Sequence, residues 1–198
     1  MNNKFKLSEI VSIRSGMVVP KTVNNDEEKL TDAFVRMIGT SDYNDQGVLR
    51  PNLEANVLFK PSIEKNFLVK NEILFNSKGR RFFAALFDNE YSHTIASASF
   101  LVLTLQRDDV LPEFLVWYLS HPETLKVFDS KMVTQTMPSI TKQELGELEV
   151  IIPNLHTQNQ ILSLDSLKKQ QIAIQKELIV LKEDFINKVT YKKLKNEF

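Results

Sequence analysis

From Leu164 onward the chain repeats in alternating steps of three and four: Leu164, Leu167, Gln171, Ile174, Leu178, Leu181 and Phe185. No Pro or Gly interrupts the stretch from Leu155 to the end. This is the a/d spacing of a heptad repeat. It predicts a helix that begins near Thr157 or Gln158 and runs roughly 60 Å at ~1.5 Å per residue. A lone helix cannot bury such a stripe, so the pattern asks for a partner helix; the competing reading is an amphipathic helix lying on its own body. Gln171 is polar at an a position, which lowers stability but can fix register. In this frame Lys168, Gln175 and Lys182 are e positions, and Gln170, Glu177 and Asp184 are g positions. A parallel pair would set e against g, and an antiparallel pair e against e. Asp165–Lys169 and Asp184–Lys188, four residues apart with the acid first, can satisfy those charges within one helix.

Upstream the periods are shorter and mixed. Lys6 to Gly16 reads as a short helix or strand start, and residues 20–31 as a charged loop. Ala33 to Ile38 reads as a strand, Gly39 to Pro51 as a run of turn formers, and Phe67 to Phe75 as a strand pair. A polar loop over residues 76–81 separates this from a strand at Phe82 to Phe87. His93 to Leu105 ends in the apolar run Phe100-Leu101-Val102-Leu103. Pro112 sits where a helix tolerates proline, with Phe114, Leu115, Trp117, Tyr118 and Leu119 behind it as core. A second helix starts near Pro122 and turns Leu125 and Phe128 inward. Lys131 to Pro138 reads as a loop, Thr141 to Glu144 as a capping box, and Leu148 to Ile152 as a strand closed by Pro153. The fold class is therefore α+β: a mixed α/β body over residues 1–153, then one long coiled-coil helix over 154–198.

Composition narrows the possibilities. Of 198 residues 42% are hydrophobic, including 13 Phe, which suffices for a sizeable core. The absence of Cys excludes disulfides and thiolate metal sites and fits a reducing compartment. His93, His121 and His156 lie too far apart in sequence for ligand spacing, and His93 reads as a strand-edge or buried histidine bonded to backbone. The first residues lack an apolar leader and no run approaches a membrane span, which predicts a cytoplasmic protein. Net charge is zero but unevenly spread. Residues 1–150 hold 17 Lys and Arg against 20 Asp and Glu, and residues 151–198 hold 8 against 5. Such a body is not a sequence-blind polyanion binder; nucleic acid would have to meet a local patch or a partner's surface.

Four stretches together resemble the DNA specificity (S) subunit of type I restriction-modification systems, in a half-length form with one target recognition domain and one spacer helix. Leu7 to Gly16 (LSEIVSIRSG) looks like the family's opening L-x-E-I. Val69 to Gly79 (VKNEILFNSKG) looks like its V-x-x-G-D-I-L strand and loop. Leu111 to Leu119 (LPEFLVWYL) looks like its L-P-x-Y-L helix. Pro138 to Ile161 resembles its most specific signature, which joins a capped helix, a strand ending in Pro153 and the start of the coiled coil at Gln158. Asn71-Glu72 stands where Gly-Asp is usual, and Asn154 where a second Pro is common. The resemblance implies a non-catalytic, sequence-specific reader of one half of a bipartite site. It implies double-stranded DNA, adenine methyltransferase (M) subunits and restriction (R) subunits as partners, and pairing with itself or another half through an antiparallel helix.

Two polar loops are the candidate DNA contacts. Asn76, Ser77, Lys78, Arg80 and Arg81 surround Gly79 after a strand, suited to an arginine fork on guanine or to phosphate contacts. Lys131, Thr134, Gln135, Thr136 and Ser139 offer short polar groups for phosphates and base edges. Arg36 and the loop Thr40–Asn44 are weaker candidates, while Arg14 and Lys21 read as surface charge. In each case a solvated surface is the competing reading. Enzymatic readings find less support. Asp26-Glu27-Glu28-Lys29 contains an E-x-K without a preceding Pro-Asp strand. Asp88 and Glu90 have no catalytic neighbour in spacing. No Asn-Pro-Pro-aromatic motif or glycine-rich loop offers a cofactor site. The alternative function is a dimeric protein-interaction module with no DNA role, which would have no use for an exposed basic loop at Lys78–Arg81.

Overall fold

The computed structural model describes residues 4–18, 34–44, 47–51, 53–55, 57–88, 91–134 and 136–195, with the side chains of Met132 and Thr134 excepted. It divides into two compact units that meet between Leu155 and His156. The described residues of the first unit form three sheets. Central among them is an antiparallel sheet of β2 (Val11–Ser15), β8 (Phe100–Leu105), β5 (Ile73–Asn76) and β6 (Phe83–Leu86), in that order. β5 and β8 lie inside it and pair Phe75 with Leu101 and Leu74 with Val102. Each carries an apolar run, Ile73–Phe75 and Phe100–Leu103, because both their faces are covered; Ile73, Leu74, Phe75, Phe100, Val102 and Leu103 are fully buried. A second sheet sets β3 (Phe34–Ile38) between β4 (Val57–Leu58) and β7 (Thr94–Ala96), antiparallel to the first and parallel to the second. β1 (Lys4–Lys6) pairs antiparallel with β9 (Glu149–Ile151) and ties the two ends of the unit together.

β6 is an edge strand, and its edge is closed. Helix α1 (Pro112–Ser120) presents Ser120, whose hydroxyl accepts from the Ala84 amide at 2.9 Å and donates to the Ala84 carbonyl at 3.2 Å. One side chain thereby satisfies both outward backbone groups of that residue. At the other edge β2 leaves the sheet through Gly16, whose amide donates to the Phe100 carbonyl at 2.9 Å. A Cβ on Gly16 would stand 2.1 Å from the Ser97 carbonyl oxygen. Glycine is required there because backbone fills the space that a side chain needs.

Several local expectations are corrected. Phe67 to Phe75 is not a strand pair: Pro61–Asn66 winds into a 3₁₀ helix and only β5 follows. Residues 131–134 are not loop but the end of helix α3 (Asp129–Thr134), preceded by α2 (Pro122–Leu125) and a 3₁₀ turn. Phe128 is buried as expected, Leu125 only partly. Of the two readings of His93 the strand-edge one fits and the buried one does not: it directly precedes β7, its carbonyl accepts from the Arg36 amide at 3.1 Å, and it is exposed, with a left-handed φ of 52° and its ring against Phe67. Trp117 and Tyr118 are half-buried and line an open cleft of about 570 Å³ with Lys4, His121 and Ile151, rather than sitting in the core.

Asn71 has φ 69°, a backbone that glycine adopts freely and asparagine tolerates. Asn therefore replaces Gly here without a change of path. Glu72 beside it is buried. It accepts from Arg14 at 2.8 Å, from the Val69 amide at 3.0 Å and from the Thr104 hydroxyl at 2.9 Å. Arg14 also donates to the carbonyls of Asn66 and Phe67 and is not a surface charge. A buried carboxylate has no periodic signature, so this pair is not legible in the sequence.

The described part of the second unit is helical: helix α5 runs over Leu155–Lys195, 41 residues, all but the first of them in that unit. It starts two residues before the expected Thr157, since Pro153 and Asn154 end the strand directly. Leu164, Leu167, Ile174, Leu178, Leu181 and Phe185 are 46–68% exposed along it. Asp165–Lys169 and Asp184–Lys188 form the expected intrahelical pairs at 2.7 and 2.6 Å. Among the described residues no helix is long and apolar enough to cross a membrane.

Candidate nucleic-acid interface

Two loops about sixty residues apart in sequence become one element. Past the end of β5, the Ser77 amide donates to the Ser99 carbonyl at 2.9 Å and the Ser77 hydroxyl to the same carbonyl at 3.1 Å. The Ser77 carbonyl then accepts from Ile140 at 2.8 Å, and the Gly79 amide donates to Pro138 at 2.9 Å. Lys78 and Ser139 form an antiparallel bridge between these bonds. The result is a short two-stranded ribbon whose two segments are joined by main-chain bonds. Gly79 bends the first segment with φ 93°, a value that favours glycine.

The candidate residues divide sharply by environment. Asn76 and Ser77 are buried, and the Asn76 amide donates to the Arg81 carbonyl, so both hold the loop rather than face solvent. Lys78 and Arg80 are exposed, and neither side chain has an ion-pair partner among the described residues. Arg81 is half-buried. It donates to the Asn44 carbonyl at 3.0 Å and lies 4.5 Å above the Phe83 ring, tying the turn region at Thr40–Asn44 to this loop. Arg36 is also engaged: it donates to the carbonyls of Leu53 and Ser92 and stands 5.1 Å from the Tyr91 ring. Thr136 is exposed and Ser139 half-buried. Thr134 ends α3, with its side chain outside the description, and Gln135 lies outside the described residues, as do Lys21, Asp26–Lys29 and Glu90.

Lys131 is committed to the scaffold. Its ammonium donates to the Ser139 carbonyl at 2.9 Å and pairs with Glu144 at 2.6 Å. Glu144 in turn completes the capping box of α4 (Lys142–Gly146). Its carboxylate accepts from the Thr141 amide at 2.8 Å, while the Thr141 hydroxyl accepts from the Glu144 amide at 3.2 Å. The Lys131 hydrogen bond first, then the Thr141 bonds, hold the Glu144 carboxyl down at about 2. A carboxyl lowered on folding adds stability that is complete above its ordinary value of 4.5 and vanishes as pH falls through about 2. Glu144→Gln is therefore expected to destabilise the protein at neutral pH, with the difference from wild type shrinking between about pH 4.5 and 2. Glu144 is 40% exposed, so water screens much of this effect. Thr141→Ala, which removes the reciprocal cap, is expected to cost ~1 kcal/mol. Urea unfolding across that pH range measures both.

Comparison with known proteins gives the same outline. A family model described as "Type I restriction modification DNA specificity domain" matches residues 2–183. Over 118 residues the chain is 32% identical to the type I restriction enzyme HindI specificity subunit of Haemophilus influenzae, covering 56% of this chain and 25% of that protein. The fold resembles the HsdS subunit of Thermoanaerobacter tengcongensis, with TM-score 0.58 and 17% identity over 86% of this chain and 38% of that one. It also resembles a chain solved in work on complex assembly and conformational transition of the type I R-M system, with TM-score 0.61 and 17% identity over 88% and 40% of the two chains. The sequence spans about a quarter of the curated relative and about two fifths of each solved chain.

Proposed function

The chain belongs to the family of type I restriction modification DNA specificity domains, and from that premise we propose that its first unit reads one half of a bipartite duplex site. The observation that carries this reading is the ribbon at Lys78–Ser139. It offers two exposed cations, Lys78 and Arg80, on a backbone fixed by Ser77, Gly79, Pro138 and Ile140. A two-stranded ribbon fits the major groove, where an arginine fork on guanine is worth ~1–3 kcal/mol of discrimination. Helix α5 acts as a spacer that pairs through Leu164–Phe185 with a second copy or another half, and so sets the distance between two reading units. A homodimer would then read a palindromic site. Adenine methyltransferase subunits dock on this assembly in the cytoplasm and perform the chemistry. Restriction subunits join that complex, and the chain itself carries no catalytic step.

The test uses the full chain assembled with its methyltransferase. Lys78→Ala together with Arg80→Ala is expected to weaken duplex binding at least tenfold and to lower the salt dependence by one to two phosphate equivalents. Binding measured between about 50 and 200 mM salt gives the slope. An unchanged slope removes the ribbon from the interface. Neither side chain supports the fold, so the variant keeps its stability.

A further inference from the structure

Met137 immediately precedes the ribbon's second segment and is 79% exposed. A single exposed apolar side chain is ordinary on a protein surface. This one differs in its setting. Its neighbour Pro138 is buried and bonded to Gly79 across the ribbon. Arg80 and Met137 are the outer chain neighbours of the bonded pair Gly79 and Pro138. The polypeptide thus holds an exposed thioether beside a fixed stretch of backbone that also carries an exposed lysine and an exposed arginine.

We propose that Met137 is a specificity-determining residue that packs on the 5-methyl group of a thymine beside the base pair contacted by Arg80. The inference rests on the DNA-reading function above and names what one position of that site contains. Of the groups that bases show in the major groove, the thymine methyl is the one apolar patch, so an apolar side chain on an inserted ribbon meets its match there. The groove is about 12 Å wide and paired strands are ~4.8 Å apart, which leaves room for side chains on both strands. Methionine suits the task because its unbranched, polarisable chain adapts to a shallow contact. Lys78 and Arg80 supply phosphate or guanine contacts and say nothing about thymine; Met137 adds that letter.

The experiment starts from a duplex selected out of random DNA by the full chain in its methyltransferase complex. Each thymidine is replaced in turn by deoxyuridine, which removes only the methyl group. Wild-type affinity is expected to fall about fourfold at one position, the worth of one buried methyl. Met137→Ser is expected to bind the unmodified duplex about fourfold more weakly and to lose nothing further at that position. A scan silent at every thymidine for the wild type overturns the proposal. So does a Met137→Ser variant that keeps the full deoxyuridine penalty. The Lys78→Ala/Arg80→Ala variant separates the two levels. If it weakens binding while the scan is silent, only the thymine contact fails; if it leaves affinity and salt slope intact, the reading function falls with it.

Discussion

Gly16→Val is expected to destabilise the first unit by more than about 4 kcal/mol, enough to remove most of the folded population of a domain of ordinary stability. The cause is local and steric. Even the Cβ would lie 2.1 Å from the Ser97 oxygen and 2.8 Å from the Ala96 oxygen, both main-chain atoms. Neither can move alone. Gly16 is bonded to Phe100, and Met17 to the Ala96 carbonyl at 2.8 Å, so relief of the clash breaks the β2–β8 edge. Overpacking against flexible side chains costs ~1–3 kcal/mol, and backbone obstacles raise that. Gly39→Ala provides the contrast. The nearest atom to a Cβ there is a carboxylate oxygen of Asp42 at 3.5 Å, and the expected cost is under ~1 kcal/mol. Denaturant unfolding of the two full-length variants decides the matter. Equal, small losses would mean that β2 does not leave the sheet as described.

Leu178→Asp combined with Leu181→Asp is expected to leave only monomers in sedimentation at concentrations where the wild-type chain is paired. Both leucines are about half exposed in the single chain, at 46% and 58%, so neither contributes much to a fold of one copy. In a helix pair they would be buried four times over, at ~1.5 kcal/mol or more for each side chain. Losing that, about 6 kcal/mol, raises the dissociation constant by roughly four decades. Charging the seam adds a desolvation cost in the same direction. Lys176→Ala, on the opposite side of the heptad frame, is the control and should keep the wild-type mass. Variant and wild type of equal mass would show that the stripe is not a seam. The intrahelical pair Asp184–Lys188 takes up one g-position charge, which leaves Lys168, Lys182 and Glu177 to weigh between parallel and antiparallel pairing, at ~0–1 kcal/mol for each exposed pair.

What could be read from the sequence was what the chain writes locally. The Thr141–Glu144 box, the proline-led helix at Pro112 and the apolar run of β8 each carry their own signal within a few residues, and each stands where expected. The long helix α5 belongs with them, because its period is continuous over three repeats. Long-range pairing had no such signal. Nothing in residues 76–81 announces that their partners are residues 138–140. The same limit hid the double engagement of Lys131, the burial of the Arg14–Glu72 pair, and the fact that Asn76 and Ser77 brace the loop they were expected to expose. The strand pair expected at Phe67 failed for another reason: the turn chemistry of Pro61 and the left-handed Asn71 outweighed the apolar composition between them.

The ribbon formed by Ser77–Gly79 and Pro138–Ile140 is laced by amides and carbonyls, and the bend in its first segment is set by one glycine. Side chains at 78, 80, 136 and 137 take no part in that lacing. Under the reading proposed above, exchange of any of them would alter what the tip recognises while the frame beneath stays put. New sequence preferences would then be reachable by single substitutions at little thermodynamic risk, whereas a change at 79 would bend the frame itself.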